Sequence, residues 1–256
     1  MHSPEELKEV VEEALEELEL WPELHGQAES VQYALEMGGK RIRPVITLAV
    51  GEALEAAPER VMPAALALEL VHNFSLVHDD LPSLDNDTAR RGKPSVWSIY
   101  GDGKALLAGD ALLAEAFRLA CAYPSSTVAS ELAEATLGMI GGQYLDTMEP
   151  DTDLETVHRL KTGRLFYAAV TLALAAAELP RNEQGPWRDF ADELGLLFQV
   201  VDDILDEDGF VLVEGVEAAR VRANRAAERA LSMLLEIPAD TSVLTEIVNG
   251  LAVRTS

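Results

Sequence analysis

Apolar residues recur at helical spacing from the start of the chain. Val10, Val11, Ala14, Leu15 and Leu18 share one face, and glutamates occupy the other, the pattern of an amphipathic helix. Ser3, Pro4 and Glu6 predict where it begins: an N-cap, a proline in the first turn and a capping box. Trp21-Pro22 predicts its end, and a second helix is expected from about Gly26 to Met37, stopped by Gly38-Gly39. Pro44 opens a third, to about Ala56. Further helical runs cover Ala64 to Val77, Leu106 to Ala122, Val128 to Leu145 and Asp153 to Leu160, and a long helix starts at Pro186. The longest apolar run, Leu165 to Ala177, is broken only by Thr171. It is shorter than the about 20 residues that span a bilayer, so it predicts a helix buried on all sides. No stretch alternates as a strand does. The pattern predicts one all-α domain over residues 1–256, a bundle of about ten helices without linker or repeat.

Charge changes this picture. The chain of 256 residues carries a formal net charge of −25, which argues against nucleic acid and against an anionic membrane surface as partners. A lone cysteine, Cys121, excludes an internal disulfide and fits a reducing compartment. With no targeting or spanning segment evident, a cytoplasmic location is expected.

Two acid clusters interrupt the apolar pattern. Asp79, Asp80, Asp85 and Asp87 follow directly on an apolar helical run, and Arg90 and Arg91 come next. Carboxylates at the end of a buried helix are costly without a partner. A hard cation such as Mg²⁺, completed by substrate phosphates, is the simplest one. Asp202, Asp203 and Asp206 form the second cluster, and their spacing puts all three on one helix face. Either cluster alone reads equally well as a solvated face or a cap; the pair points to metal.

Basic residues are local. Lys40, Arg41 and Arg43 read as a helix cap or as an anion site at a helix N-terminus. His72 lies two turns before Asp79, on its face, as a hydrogen-bonded core residue or a ligand contact. Lys161 and Thr162, at a break before the buried run, read as a cap or as phosphate contacts. Gly138, Gly141 and Gly142 sit inside a predicted helix, where glycine is unfavourable; a neighbouring helix or a ligand must come close.

Taken in order, GGKRIRP, LVHNFSLVHDDLPSLDND, RRGKP, LAGDALL, GGQYLD, KTG and FQVVDDILDEDG resemble the trans-polyprenyl diphosphate synthases, the short-chain isoprenyl diphosphate synthases that make farnesyl and geranylgeranyl diphosphate. The resemblance covers essentially the whole chain. It implies the isoprenoid synthase fold, with helices around a deep central cavity, as a homodimeric prenyltransferase. The implied reaction joins isopentenyl diphosphate head-to-tail to an allylic diphosphate through an allylic carbocation. It implies three Mg²⁺ ions, with Mn²⁺ as an alternative, held by Asp79, Asp80 and Asp85 and by Asp202, Asp203 and Asp206. Lys40, Arg43, His72 and Arg91 would hold isopentenyl diphosphate. Arg90, Lys161, Thr162 and Gln199 would contact the allylic partner, and Asp79, Asp85, Arg90, Lys161 and Asp202 would carry catalysis. Phe74 and Ser75 would set chain length, with a C15 product expected and C20 next.

One departure stands out. In the family the chain runs on past the second aspartate motif through a stretch bearing further lysines. Here Gly209 meets Phe210 at once. The expectation is a mobile flap between 209 and 210 that these residues leave out, since lids come from the least stable parts of a fold. True loss would favour a non-catalytic subunit of an active partner. A terpene cyclase and a di-iron bundle are weaker rivals: the first has little use for GGKRIRP, and the second needs Glu-x-x-His pairs that are missing at the acid clusters.

Overall fold

Ser3 caps the first helix as its sequence predicts: its side chain accepts from the Glu6 amide, and the Glu6 carboxylate accepts from the Ser3 amide at 2.7 Å. The computed structural model describes residues 1–149 and 151–253. Its elements are α1 (Pro4–Glu16), a 3₁₀ turn (Pro22–Gln27), α2 (Ala28–Glu36), α3 (Ile42–Ala53), α4 (Pro58–Asp79), α5 (Val96–Tyr100), α6 (Asp102–Ala120), α7 (Thr127–Met148) and α8 (Leu154–His158). A π-helical turn (Arg159–Gly163) leads into α9 (Arg164–Ala176), followed by α10 (Gly185–Asp206), α11 (Phe210–Glu214), α12 (Val216–Glu236) and α13 (Ser242–Val253). Among the described residues the only strands are β1 (Ala89–Arg90) and β2 (Lys93–Pro94), a two-residue antiparallel pair. The fold is all-α. The count exceeds about ten because short pieces such as α5, α8 and α11 are separate helices.

The predicted second helix is split. A 3₁₀ segment, Pro22–Gln27, kinked at His25 where φ is 48°, precedes α2. Gly38 and Gly39, at φ 74° and 147°, end α2 as expected. The apolar run before the third helix's neighbour proves longer than predicted: α4 starts at Pro58 and reaches Asp79. By length and composition α4 would cross a membrane, yet 67% of its most apolar window is buried inside the bundle.

Four helices position the site. α9 is buried on nearly every face. It packs against α4 on one side and α10 on another, and α3 touches both α4 and α9. The two acid clusters lie at the C-terminal ends of α4 and α10, so this packing brings them to the same end of one core.

The junction after the second cluster is a tight turn. Val211 donates its amide to the Asp208 carbonyl at 2.9 Å, and Leu212 to that of Gly209 at 3.1 Å. Gly209 thus leads straight into α11. Gly209 makes the reversal possible: its φ is +51°, and a Cβ there would come within 2.1 Å of Asp203 Oδ2.

Candidate active site

The residues after α2 turn sharply inward. Arg41 sits at the start of α3 with φ 49° and is 3% exposed. Its guanidinium pairs with Glu69 at 2.7 Å and Glu12 at 3.0 Å, so this arginine holds the turn. Its neighbours Lys40 and Arg43 are left to face a cavity of about 490 Å³, which His72, Arg91, Phe198 and Asp202 also line. All four residues expected to hold isopentenyl diphosphate thus share one wall. Lys40 Nζ lies 3.8 Å from Asp202, and Arg43 Nη1 lies 3.3 Å from His72 Nε2. Arg91 reaches across to the Gly38 carbonyl, and a Cβ on Gly39 would stand 2.5 Å from Arg91 Nη1.

The cations of this pocket outnumber the carboxylates, Glu69 and Asp202, that face them. Burial pulls the Arg43 pKa down to about 10. Burial, then the charges of Arg43 and Arg91, hold His72 well below its ordinary value, so it is neutral. Burial also lowers Arg91, and the neighbouring Arg41 adds to this. Arg43 Nε is buried without a hydrogen-bond partner. Crowded, desolvated cations with unused donors make a site for a polyanion.

A second cavity, of about 570 Å³, shares Arg43 and His72 with the first. Phe74, Ser75, Asp79, Lys161 and Thr162 line it, as the sequence predicts, together with Leu113, Met139, Gln143 and Leu165. Ser75 donates its hydroxyl to the His72 carbonyl at 2.8 Å. The π-helical turn is what aims Lys161 and Thr162 into this space. Gly142 lets that turn approach: a Cβ there would lie 2.2 Å from the Lys161 amide nitrogen, and one on Gly138 would meet the Arg164 side chain at 2.7 Å. A neighbouring element, the first of the two alternatives, explains these glycines, while Gly141 faces open space. Lys161 Nζ binds Asp146 at 2.5 Å.

The acid clusters divide. At the end of α4 the Asp85 amide donates to the Asp79 carbonyl at 2.9 Å. This folds the DDLPSLD loop back so that both carboxylates stand at one helix end. Burial lifts Asp79 to about 6, with the Asp85 charge adding to the shift and Lys161 opposing it. Asp80 points elsewhere: it is 2% exposed, and Arg90 clamps it at 2.6 Å through Nη2 and 2.8 Å through Nε. Arg90 is accordingly engaged with Asp80, and with Asp87 at 3.7 Å, instead of lining either cavity.

In α10, Asp202 faces the basic cavity, and burial raises its pKa. Asp206 is exposed at the helix end. Asp203 turns the other way. Its Oδ1 accepts from Gln199 Nε2 at 2.7 Å and its Oδ2 from the Phe210 amide at 2.8 Å. Gln199 is therefore tied to Asp203 through Nε2, with its Oε1 buried and unpaired, and lines a separate cavity with His158 and Phe210. The sequence assigned Asp203 to metal and Gln199 to substrate. Helical spacing puts Asp203 near the Asp202 face, but the Gly209 reversal captures it as a helix cap.

Among the described residues no group of three or more metal-ligating side chains is already gathered. The donor set nonetheless fits a hard divalent ion that arrives with substrate oxygens. Asp79 is desolvated beside a second carboxylate, and Asp85, Asp202 and Asp206 supply further oxygens at the two helix ends. Asp80, buried and held through Oδ1 by Arg90, and Asp203, with both oxygens engaged, fit less well.

Comparison with known proteins agrees with this geometry. The family model for polyprenyl synthetase matches residues 26–211. Geranylgeranyl diphosphate synthase of Cyanophora paradoxa is 42% identical over 193 residues, covering 70% of this chain and 64% of that protein. Farnesyl diphosphate synthase of Haemophilus influenzae is 34% identical over 249 residues, covering 84% of each. The chain spans about two thirds of the length of several relatives, including 66% of the Bacillus subtilis farnesyl diphosphate synthase. Among solved structures, a geranyltranstransferase from Thermotoga maritima superposes with a TM-score of 0.88 at 29% identity, covering 99% of both chains.

Proposed function

The chain belongs to the polyprenyl synthetase family, and we propose that it condenses isopentenyl diphosphate with an allylic diphosphate to give a longer prenyl diphosphate. The observation that carries this reading is the pair of cavities meeting at Arg43 and His72. One is cationic and suits a diphosphate alone. The other runs from Asp79 and Lys161 along an apolar wall and suits a diphosphate with a hydrocarbon tail.

Lys40, Arg43, His72 and Arg91 hold the diphosphate of the isopentenyl partner. Lys161 and Thr162 face the allylic diphosphate. The allylic C–O bond breaks, and pyrophosphate leaves with the electron pair. The isopentenyl double bond attacks the resulting cation, a new C–C bond forms, and one proton is lost to the departing pyrophosphate. No protein nucleophile enters. The family is generally Mg²⁺-dependent. Held by Asp79, Asp85, Asp202 and Asp206, Mg²⁺ would neutralise the charge that grows on the leaving group. Leu113, Met139 and Leu165 keep water from the cation.

Phe74, 7% exposed on the wall of the second cavity, supports a C15 product, with C20 the nearest alternative. A homodimer is part of the same reading. Leu137 on α7 and Leu107 on α6 are 69% and 55% exposed, apolar positions suited to a second copy. The direct test is pyrophosphate release, which requires both diphosphates together if the chain condenses them; release from the allylic one alone marks a cyclase, and no release marks a non-catalytic bundle.

A further inference from the structure

Phe74 does not stand alone at the cavity wall. One helical turn on, His78 meets its ring edge-to-face, with centroids 4.9 Å apart and planes at 75°. Both side chains line the same cavity. His78 is fixed in turn by the neighbouring helix α6. Its Nε2 lies 2.9 Å from the Leu106 carbonyl, to which it donates, and 3.9 Å from Asp110 Oδ1. The ring also occupies the space over Gly109, where a Cβ would stand 2.1 Å from Nε2 and 2.2 Å from Cδ2.

Gly109 lies in the middle of α6 with nothing unusual in its φ. Glycine is unfavourable in a helix interior, so this contact gives it a reason to be there. The Leu106 carbonyl and the bare Gly109 backbone form a seat that accepts the imidazole in one orientation. An aromatic ring at a helix surface has more than one staggered χ1 available. A growing hydrocarbon tail pressing on Phe74 meets a ring held from behind by the seated imidazole.

We propose that His78, seated on Gly109 and Leu106, is a positioning residue for product length: it braces the Phe74 ring across the cavity, so that the depth gauge spans α4 and α6. This rests on the condensing activity proposed above. The gauge then depends on a glycine that never touches substrate.

The test compares product lengths from the wild-type protein, His78→Ala, Gly109→Ala, Phe74→Ala and the Phe74→Ala/His78→Ala pair, each incubated with dimethylallyl and isopentenyl diphosphates and Mg²⁺. His78→Ala and Gly109→Ala are each expected to raise the ratio of longer to C15 product about 2- to 10-fold, the ratio that one edge-to-face ring contact is worth. Phe74→Ala raises it further, and adding His78→Ala to it adds little, since His78 acts through Phe74. A role confined to folding would lower the yield of every product without moving this ratio. His78→Ala tests the same contact should Gly109→Ala fold poorly, because it empties the seat without a clash. Wild-type lengths from both single variants would overturn the proposal, and so would a double variant whose shift is the sum of the two. Absence of elongation by the wild-type protein would overturn the condensing activity itself, a result distinct from elongation at unchanged length.

Discussion

The Arg43 guanidinium carbon lies 4.5 Å from the centre of the Phe166 ring. Its other direct neighbour is the neutral imidazole of His72, and burial holds its pKa down to about 10. The ring, the neutral imidazole and the more distant charges of Glu69 and Asp202 compensate the buried charge only partly, so this residue costs the empty protein stability and returns it on binding an anion. Arg43→Met should raise the melting temperature of the ligand-free protein. Arg43→Gln should raise KM for isopentenyl diphosphate about 10- to 100-fold, the worth of one or two hydrogen bonds to a charged group, with a much smaller change for the allylic partner. An unchanged isopentenyl KM would remove Arg43 from the site.

His72 gives a pH dependence with a definite sign. Its folded pKa lies well below the ordinary histidine value. As pH falls below about 6.5 the unfolded chain takes up a proton that the folded protein refuses. The His72 contribution is therefore intact above that pH and lost as the solution is acidified through it. His72→Gln should flatten the decline in melting temperature between neutral pH and pH about 5. A decline as steep as that of the wild-type protein would place the acid-sensitive group elsewhere.

Asp79 and Asp202 face the cavities, whereas Asp80 and Asp203 are locked in internal contacts. Asp79→Asn and Asp202→Asn should each cut kcat about 100- to 1000-fold, the usual cost of removing one group that stabilises developing charge. Both should retain wild-type melting temperatures. Chelation of divalent ions should abolish condensation in the wild-type protein without unfolding it.

Asp203 should behave in the opposite way. It caps the Phe210 amide and accepts from Gln199. Asp203→Ala leaves a buried amide unpaired and should cost about 1–3 kcal/mol of stability. That loss should be the same with or without Mg²⁺ and pyrophosphate. A deficit appearing only in their presence would show that Asp203 reaches the metal after all.

Much of this was legible in the chain. Helical periodicity gave the elements and the buried α9, and the motif order gave the residues around both cavities. Lys40, Arg43, His72, Arg91, Asp79, Lys161 and Thr162 all line one or both cavities. The misses share one physical cause: periodicity places a side chain on a face but does not say what competes for it there. Arg90 found Asp80, Gln199 found Asp203, and Asp203 found an amide that only the Gly209 reversal could supply. His78 drew no notice, since its partners, Leu106 and Gly109, lie on another helix.

The most direct measurement is incubation of the purified protein with dimethylallyl diphosphate, labelled isopentenyl diphosphate and Mg²⁺, followed by chromatography of the dephosphorylated products. The account predicts a labelled C15 prenyl alcohol as the main product, made only when both diphosphates are present. No labelled prenyl alcohol from dimethylallyl, geranyl or farnesyl diphosphate would contradict it and leave a diphosphate-binding bundle that does not condense; a labelled hydrocarbon instead would make it a cyclase.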